Sequence, residues 1–203
     1  VNFPLEIPIL KNFPEQQIPS AMEWKTLSSE YLFNDLWFKV RRETCERPDG
    51  KIVTPYYVYD FPEWVTAVAL TRDGRFIFER QYRHAIGLTQ LELPGGCVDA
   101  ADASPAEAIA RELMEETGYA FDKIIPLGQT SSNPSTNSNW MHFFLATGGV
   151  QTAGQQLDDN EEIEVHLFTL EEVKGMLRRK ELIQSMHCTA LFYALAELGE
   201  LTY

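Results

Sequence analysis

Apolar residues fall in short β-like runs over most of the chain, and three stretches carry a helical period. The β-like runs begin with Tyr31 to Phe33, Leu36 to Val40 and Pro55 to Phe61, the last two separated by the turn signal Arg47-Pro48-Asp49-Gly50. They predict a small antiparallel sheet. Val65 to Thr71 and Phe76 to Tyr82, joined through Asp73-Gly74, predict a hairpin, and Gln90 to Leu93 leads into Pro94-Gly95-Gly96. Next comes a strong helix signal, with Ser104 as N-cap, Pro105 at the first helical position, Glu107 completing a capping box and Gly118 as the stop. It predicts a helix from about 105 to 117. Further strands are predicted at Ile124 to Thr130, Trp140 to Thr147 and Ile163 to Phe168, then helices at Leu170 to Arg179, capped by Thr169, and near Ser185 to Leu198. The expected class is α/β (α+β), a mixed sheet between helices with a small N-terminal antiparallel appendage.

Pro4, Pro8, Pro14 and Pro19 mark residues 1–20 as an extended arm. Residues 21–62 form the β appendage and 63–203 the main domain. An appendage of about forty residues cannot bury a core unaided, so it packs on the rest of the chain or on a second copy, and a homodimer is expected. The 17 Lys and Arg against 30 Asp and Glu leave a net charge of −13, which argues against a nucleic-acid coat, since phosphate neutralisation needs a basic face. No apolar run approaches the roughly 20 residues of a membrane helix, and Val1 to Leu10 lacks the basic start of a signal peptide. Cys45, Cys97 and Cys188 are odd in number and in no CxxC pair, as in a reducing, cytoplasmic setting.

On the wheel of the predicted helix, Ala106, Ile109, Ala110, Leu113 and Thr117 form the buried stripe. Glu112, Glu115 and Glu116 converge beside Ala108, in the helix's C-terminal half, where the macrodipole disfavours negative charge. A divalent cation relieves both penalties, and carboxylate oxygens are ligands for Mg²⁺ or Mn²⁺. Taken alone, such an ending also describes a solvated helix face. The Pro94-Gly95-Gly96 turn ahead of it frees backbone to approach a ligand, and the carbonyl of Gly95 or Gly96 is a candidate for completing the cation site.

Leu91-Glu92-Leu93-Pro94-Gly95-Gly96 through Arg111-Glu112-Leu113-Met114-Glu115-Glu116-Thr117-Gly118-Tyr119 resembles the Nudix box, Gx5Ex7REUxEExGU, where U is a bulky apolar residue. The second half matches at every defined position. Anchored on Gly96, the first half puts Asp102 at the glutamate position, with one extra residue before Arg111. Arg80-Gln81-Tyr82-Arg83-His84, the Leu-Pro-Gly-Gly turn, the β appendage and Pro134, fifteen residues after Tyr119, are similar to the ADP-ribose and ADP-sugar pyrophosphatase branch. That resemblance implies a Nudix fold, a dimer with shared sites, and Mg²⁺-dependent cleavage of ADP-ribose to AMP and ribose 5-phosphate, with Mn²⁺ as the alternative ion. It assigns metal binding and catalysis to Glu112, Glu115 and Glu116, and a supporting role to Arg111. A late acidic loop of the family corresponds to Asp158-Asp159-Asn160-Glu161-Glu162, with Glu161 the best match for a further ligand or base and Asp159 and Glu162 behind it.

Arg83 suits a diphosphate oxygen or an ion pair with the supporting Glu92. Tyr57, Tyr59 and Trp64 suit either adenine stacking or strand packing. His84 is equally open. The rival substrates are GDP-mannose and other nucleotide sugars. The rival class is a Nudix-fold sensor without turnover.

Overall fold

A computed structural model describes residues 22–36 and 38–201, and the predicted arm at 1–20 lies outside them. The chain divides into two compact units between Tyr59 and Asp60. The first is a three-stranded antiparallel sheet in the order β1 (Lys25–Asn34), β2 (Lys39–Glu46), β3 (Ile52–Asp60). The strands are longer than the apolar runs imply, because backbone pairing continues through polar segments such as Lys25 to Glu30. Gly50 N–H closes the predicted turn on Arg47 O at 2.9 Å. Val40, Cys45 and Val58 are its buried apolar side chains, while Leu27, Tyr31, Leu32, Phe33 and Phe38 stay exposed.

The second unit is a mixed seven-stranded sheet. It contains β4 (Trp64–Thr71), β5 (Phe76–Arg83), β6 (Leu88–Glu92), β7 (Tyr119–Ala120), β8 (Lys123–Ser131), β9 (Trp140–Gln151) and β10 (Ile163–Phe168). The path runs β10-β5-β4-β9-β7, with β6 on β5 and β8 on β9, and β4 and β9 pair in parallel. Alternation along β4 and β5 splits the core in two. Val68, Phe76 and Phe78 face α2 (Leu170–Arg179) and α3 (Ser185–Glu197). Val65, Ala67, Ala69 and Ile77 face α1 (Pro105–Glu112), whose Ala108 and Ile109 are fully buried. This is the Nudix-like α+β architecture, a mixed sheet flanked by helices.

The helix differs from its expected form in three respects. It remains an α-helix only to Glu112 and then widens into a π-turn over Leu113–Thr117, ended by Gly118 at φ 73°. The buried stripe is rotated, so Ala106 and Ala110 are exposed while Ala108 and Glu116 are buried. Ala108 packs with Ile109 and Leu113 among the β4 side chains. The cap is also shared differently. Ser104 Oγ accepts from Glu107 N at 3.3 Å, but the Glu107 carboxylate accepts from Ala103 N at 3.0 Å rather than from the cap residue. The Thr169 capping box on α2 is complete in both directions.

On α3, His187 is 5% exposed and its Nδ1 accepts from Leu93 N at 3.2 Å, fastening the strand end that precedes the Pro-Gly-Gly turn. Burial, partly opposed by the charge of Glu92, lowers its pKa to about 4. The unfolded chain therefore binds a proton below about pH 6.5 that the folded chain refuses until about pH 4. Stability from this group is present above pH 6.5 and is lost as the pH falls through that window, by on the order of 3 kcal/mol. His187→Asn keeps an acceptor near Nδ1 and cannot titrate. Urea midpoints from pH 7 to pH 4 are expected to fall more steeply for wild type than for H187N, and parallel slopes would contradict this account.

Candidate active site

The site is built on the α1 face of the sheet, where the Pro94-Gly95-Gly96 turn meets the π-turn. Pro94 O accepts from Thr66 Oγ1 at 2.9 Å and from Ala67 N at 3.1 Å, and Gly96 O accepts from Val65 N at 2.9 Å. The loop is thereby laid flat along β4. Gly95 is required by space and by its positive φ, because a Cβ there would run into the Val65 carbonyl, whereas one on Gly96 would press on the Glu112 carboxylate and displace it. Gly95 N then donates to Glu116 Oε2 at 2.8 Å.

Arg111 organises the outer side. Its Nε and Nη2 reach both oxygens of Asp102 at 3.2 and 2.9 Å, Nη2 reaches Cys97 O at 3.0 Å, and Nη1 reaches Glu112 at 3.0 Å and Glu115 at 2.9 Å. Asp102, the residue counted to the box position, is thus the shorter carboxylate gripping the arginine. Its pair with Asp102 and the neighbouring glutamates raise the Arg111 pKa, so the guanidinium stays charged. The three glutamates do not converge as the wheel implied. Glu116 is buried, the Glu112 side chain is 12% exposed, and Glu115 turns outward at 40% onto Arg111.

Burial and mutual repulsion dominate the inner pair. Burial, opposed by Arg111 and reinforced by Glu115 and Glu161, raises the Glu112 pKa to about 7. Burial and the charges of Glu79 and Glu112 hold Glu116 well above the carboxylate range. Among the described residues no three His, Cys, Asp or Glu side chains are drawn into a ready-made cage. The donor chemistry nonetheless fits a hard divalent ion: two carboxylates largely withheld from water, of which Glu112 shares Arg111 with Asp102 and Glu115 and Glu116 has no ion pair among the described residues, match oxygen-only coordination.

The other predicted residues are dispersed. Glu161 is half-buried, its charge is felt at Glu79, Glu112 and Glu116, and its carboxylate accepts from Asp158 N at 3.0 Å. Asp159 and Glu162 are exposed. Gln155 Nε2 bridges Glu116 O at 2.7 Å and Ile163 O at 3.1 Å, and Gln156 N donates to Glu115 O at 2.8 Å, so this loop is tied to the end of the π-turn. Arg83 makes its ion pair with Glu92, at 2.8 and 2.5 Å. Pro134 lies in an exposed turn closed by Asn137 N on Asn133 O at 2.8 Å. Trp64 packs against Phe61 with ring centroids 5.5 Å apart. Tyr57 and Tyr59 are exposed on β3 of the first unit, and His84 packs edge-on against Tyr82.

Sequence reasoning missed Glu79, which burial raises to a pKa of about 8. Its signal was a charge at a core position, two residues after Ile77 on the same strand face. It also missed Gln155, which nothing in the local pattern distinguishes from other loop glutamines.

The NUDIX domain model matches residues 61–186. The chain belongs to the Nudix family. It is a Nudix hydrolase, an enzyme of phosphoric anhydride bonds. Residues 24–59 match the nucleoside diphosphate sugar hydrolase N-terminal domain. An ADP-ribose pyrophosphatase of Bacillus subtilis is 28% identical over 174 residues, 85% of this chain and 93% of that protein. One from Mycobacterium tuberculosis is 31% identical over 166 residues, 81% and 79% of the two chains. GDP-mannose pyrophosphatases are also among the relatives. A solved structure described as an ADP compounds hydrolase shares the fold at a TM-score of 0.74 and 22% identity, over 88% of this chain and 97% of that one. Among the described residues no helix of this Nudix protein is long and apolar enough to cross a membrane.

Proposed function

We propose that this Nudix hydrolase cleaves the diphosphate of a nucleoside diphosphate linked to a sugar, with ADP-ribose as substrate and AMP and ribose 5-phosphate as products. The carrying observation is the inward pair Glu112 and Glu116, held under the Gly95-Gly96 turn, with no ion pair to Glu116 among the described residues. Glu112, Glu116 and a backbone carbonyl would hold Mg²⁺, or Mn²⁺ in its place, with Glu115 and Glu161 beside them. Gly95 is the better carbonyl candidate, because Gly96 O already accepts from Val65 N. The bound ion would supply charge neutralisation at the diphosphate and a more acidic water. Arg111 fixes Glu112 and Glu115 and ties both to the preceding loop. Glu161, whose charge reaches Glu112 and Glu116, is the proton acceptor of the acidic loop, with Asp159 as its alternative. Arg83 keeps Glu92 ionised against its burial and presents its exposed edge to the substrate side.

The dimer belongs to the same proposal: exposed Leu27, Tyr31, Phe33 and Phe38 on so small a sheet suit a second copy. Sedimentation at micromolar concentration is expected to give twice the chain mass, and a monomer would refute it.

The substrate test is AMP or GMP release from ADP-ribose, ADP-glucose, GDP-mannose and NADH, with Mg²⁺ and with chelator. Metal-dependent AMP release chiefly from ADP-ribose is expected. Preference for GDP-mannose would replace the substrate, and tight ADP-ribose binding without cleavage would replace the enzyme by a sensor.

A further inference from the structure

The cation cluster does not end with the helix. Glu79 comes from the middle of β5, and strand alternation sets it on the face of Ile77, which packs against Ile109 and Leu113. At 3% exposure it is as withdrawn from water as the core around it. Its side chain meets that of Glu116, so two carboxylates touch where either alone would call for a cation. Its Oε1 is buried without a hydrogen-bond partner among the described residues.

The nearby cationic side chains are committed elsewhere. Arg83 is paired in bidentate fashion with Glu92, the residue directly across the ladder from Glu79. Arg111 is spent on Asp102, Cys97 O, Glu112 and Glu115. Glu92 therefore has its counter-charge and Glu79 has none in direct contact. A merely structural carboxylate is poorly served here, since Val165 on β10 and Ile77 flank it with hydrocarbon on one side while the charges of Glu92 and Glu116 stand against it on the other. The side chain instead meets Glu116, one of the carboxylates that the preceding section assigns to the ion, and keeps a buried oxygen without a partner among the described residues.

We propose that Glu79 is an additional ligand for the divalent cation, supplying a carboxylate oxygen from the sheet side of the cluster opposite the helix. The proposal rests on the cation site placed at Glu112 and Glu116. It extends that site beyond the box to a strand residue the motif does not contain.

The test is Mn²⁺ binding to the full chain, read as free Mn²⁺ by electron paramagnetic resonance, for wild type, Glu79→Gln and Glu112→Gln. Glutamine keeps the shape of Glu79 and can donate to Glu116, so a structural role survives the change and only ligation is lost. E79Q is expected to bind one ion fewer or to bind about tenfold more weakly. Wild-type binding by E79Q together with weakened binding by E112Q overturns the role of Glu79 and leaves the box site standing. Absence of binding to wild type overturns both. Anomalous scattering from Mn²⁺-soaked wild-type crystals decides the matter without any variant: a peak within bonding distance of Glu79, roughly 2.1 Å, supports the assignment. Peaks bonded to box residues alone overturn it.

Discussion

Glu116→Gln is expected to lower turnover about 1,000-fold at saturating Mg²⁺ while raising the stability of the metal-free protein. The first effect follows from removing one charged oxygen donor from a site whose stabilisation of phosphoryl charge is worth several kcal/mol, about 4 kcal/mol for that loss in rate. The second follows from the geometry without metal. Glu116 is buried against Glu79 and Glu112, and its ionisation is opposed by burial first and by both charges next. Folded-state pKa values of about 7 for Glu112 and about 8 for Glu79 lie above the unfolded value, so the folded chain holds extra protons above about pH 4.5. Stability from these groups is complete below pH 4.5 and is lost as pH rises through 7 and 8. A neutral amide at 116 lifts part of that penalty. Its gain is expected to be near zero at pH 5 and about 1 to 2 kcal/mol at pH 8, read from urea denaturation in chelator. A variant as active as wild type would remove Glu116 from the site, and a variant less stable at pH 8 would refute the electrostatic account. The two signs together illustrate a site that keeps function at the expense of stability.

Arg111→Ala carries the second large effect. One guanidinium joins the Asp102 loop, the Cys97 carbonyl, Glu112 and Glu115, with each of its nitrogens in use. Its removal leaves Asp102 and Glu112, both little exposed, without their cation. The expected loss is about 2 kcal/mol of stability, below the full cost of breaking a buried pair because Arg111 is itself partly exposed. Activity should fall roughly 10- to 100-fold, as when a residue orienting metal ligands is removed, with a higher Mg²⁺ requirement. Arg111→Lys should recover little, since an ammonium cannot span the same fork. A stability change under 0.5 kcal/mol, roughly that of an ordinary surface substitution, with an unaltered Mg²⁺ requirement would show that the five contacts are incidental.

The mixed sheet, the two C-terminal helices and the helix start at Ser104 and Pro105 were all readable from local pattern, because capping chemistry and apolar period act over a few residues. The widened turn at Leu113–Thr117 was not. An α-helix and a π-turn place similar demands on composition, and the choice between them rests on packing beneath Ala108 and on ties from Gln155 and Gln156 some forty residues away. Arg111 and Glu115, four residues apart, are neighbours on any helical wheel, but the burial of Glu116 is not something the wheel could supply.

By itself, the sequence determined the family, the glycine turn and which helix carries the carboxylates, since these are properties of contiguous residues. Only the tertiary structure decided that Glu79 on β5 meets Glu116, that Arg83 belongs to Glu92, and that Asp102 belongs to Arg111. The physical reason is that a buried charge is balanced by whatever the fold brings within a few ångströms of it, and the order of residues along the chain does not contain that distance.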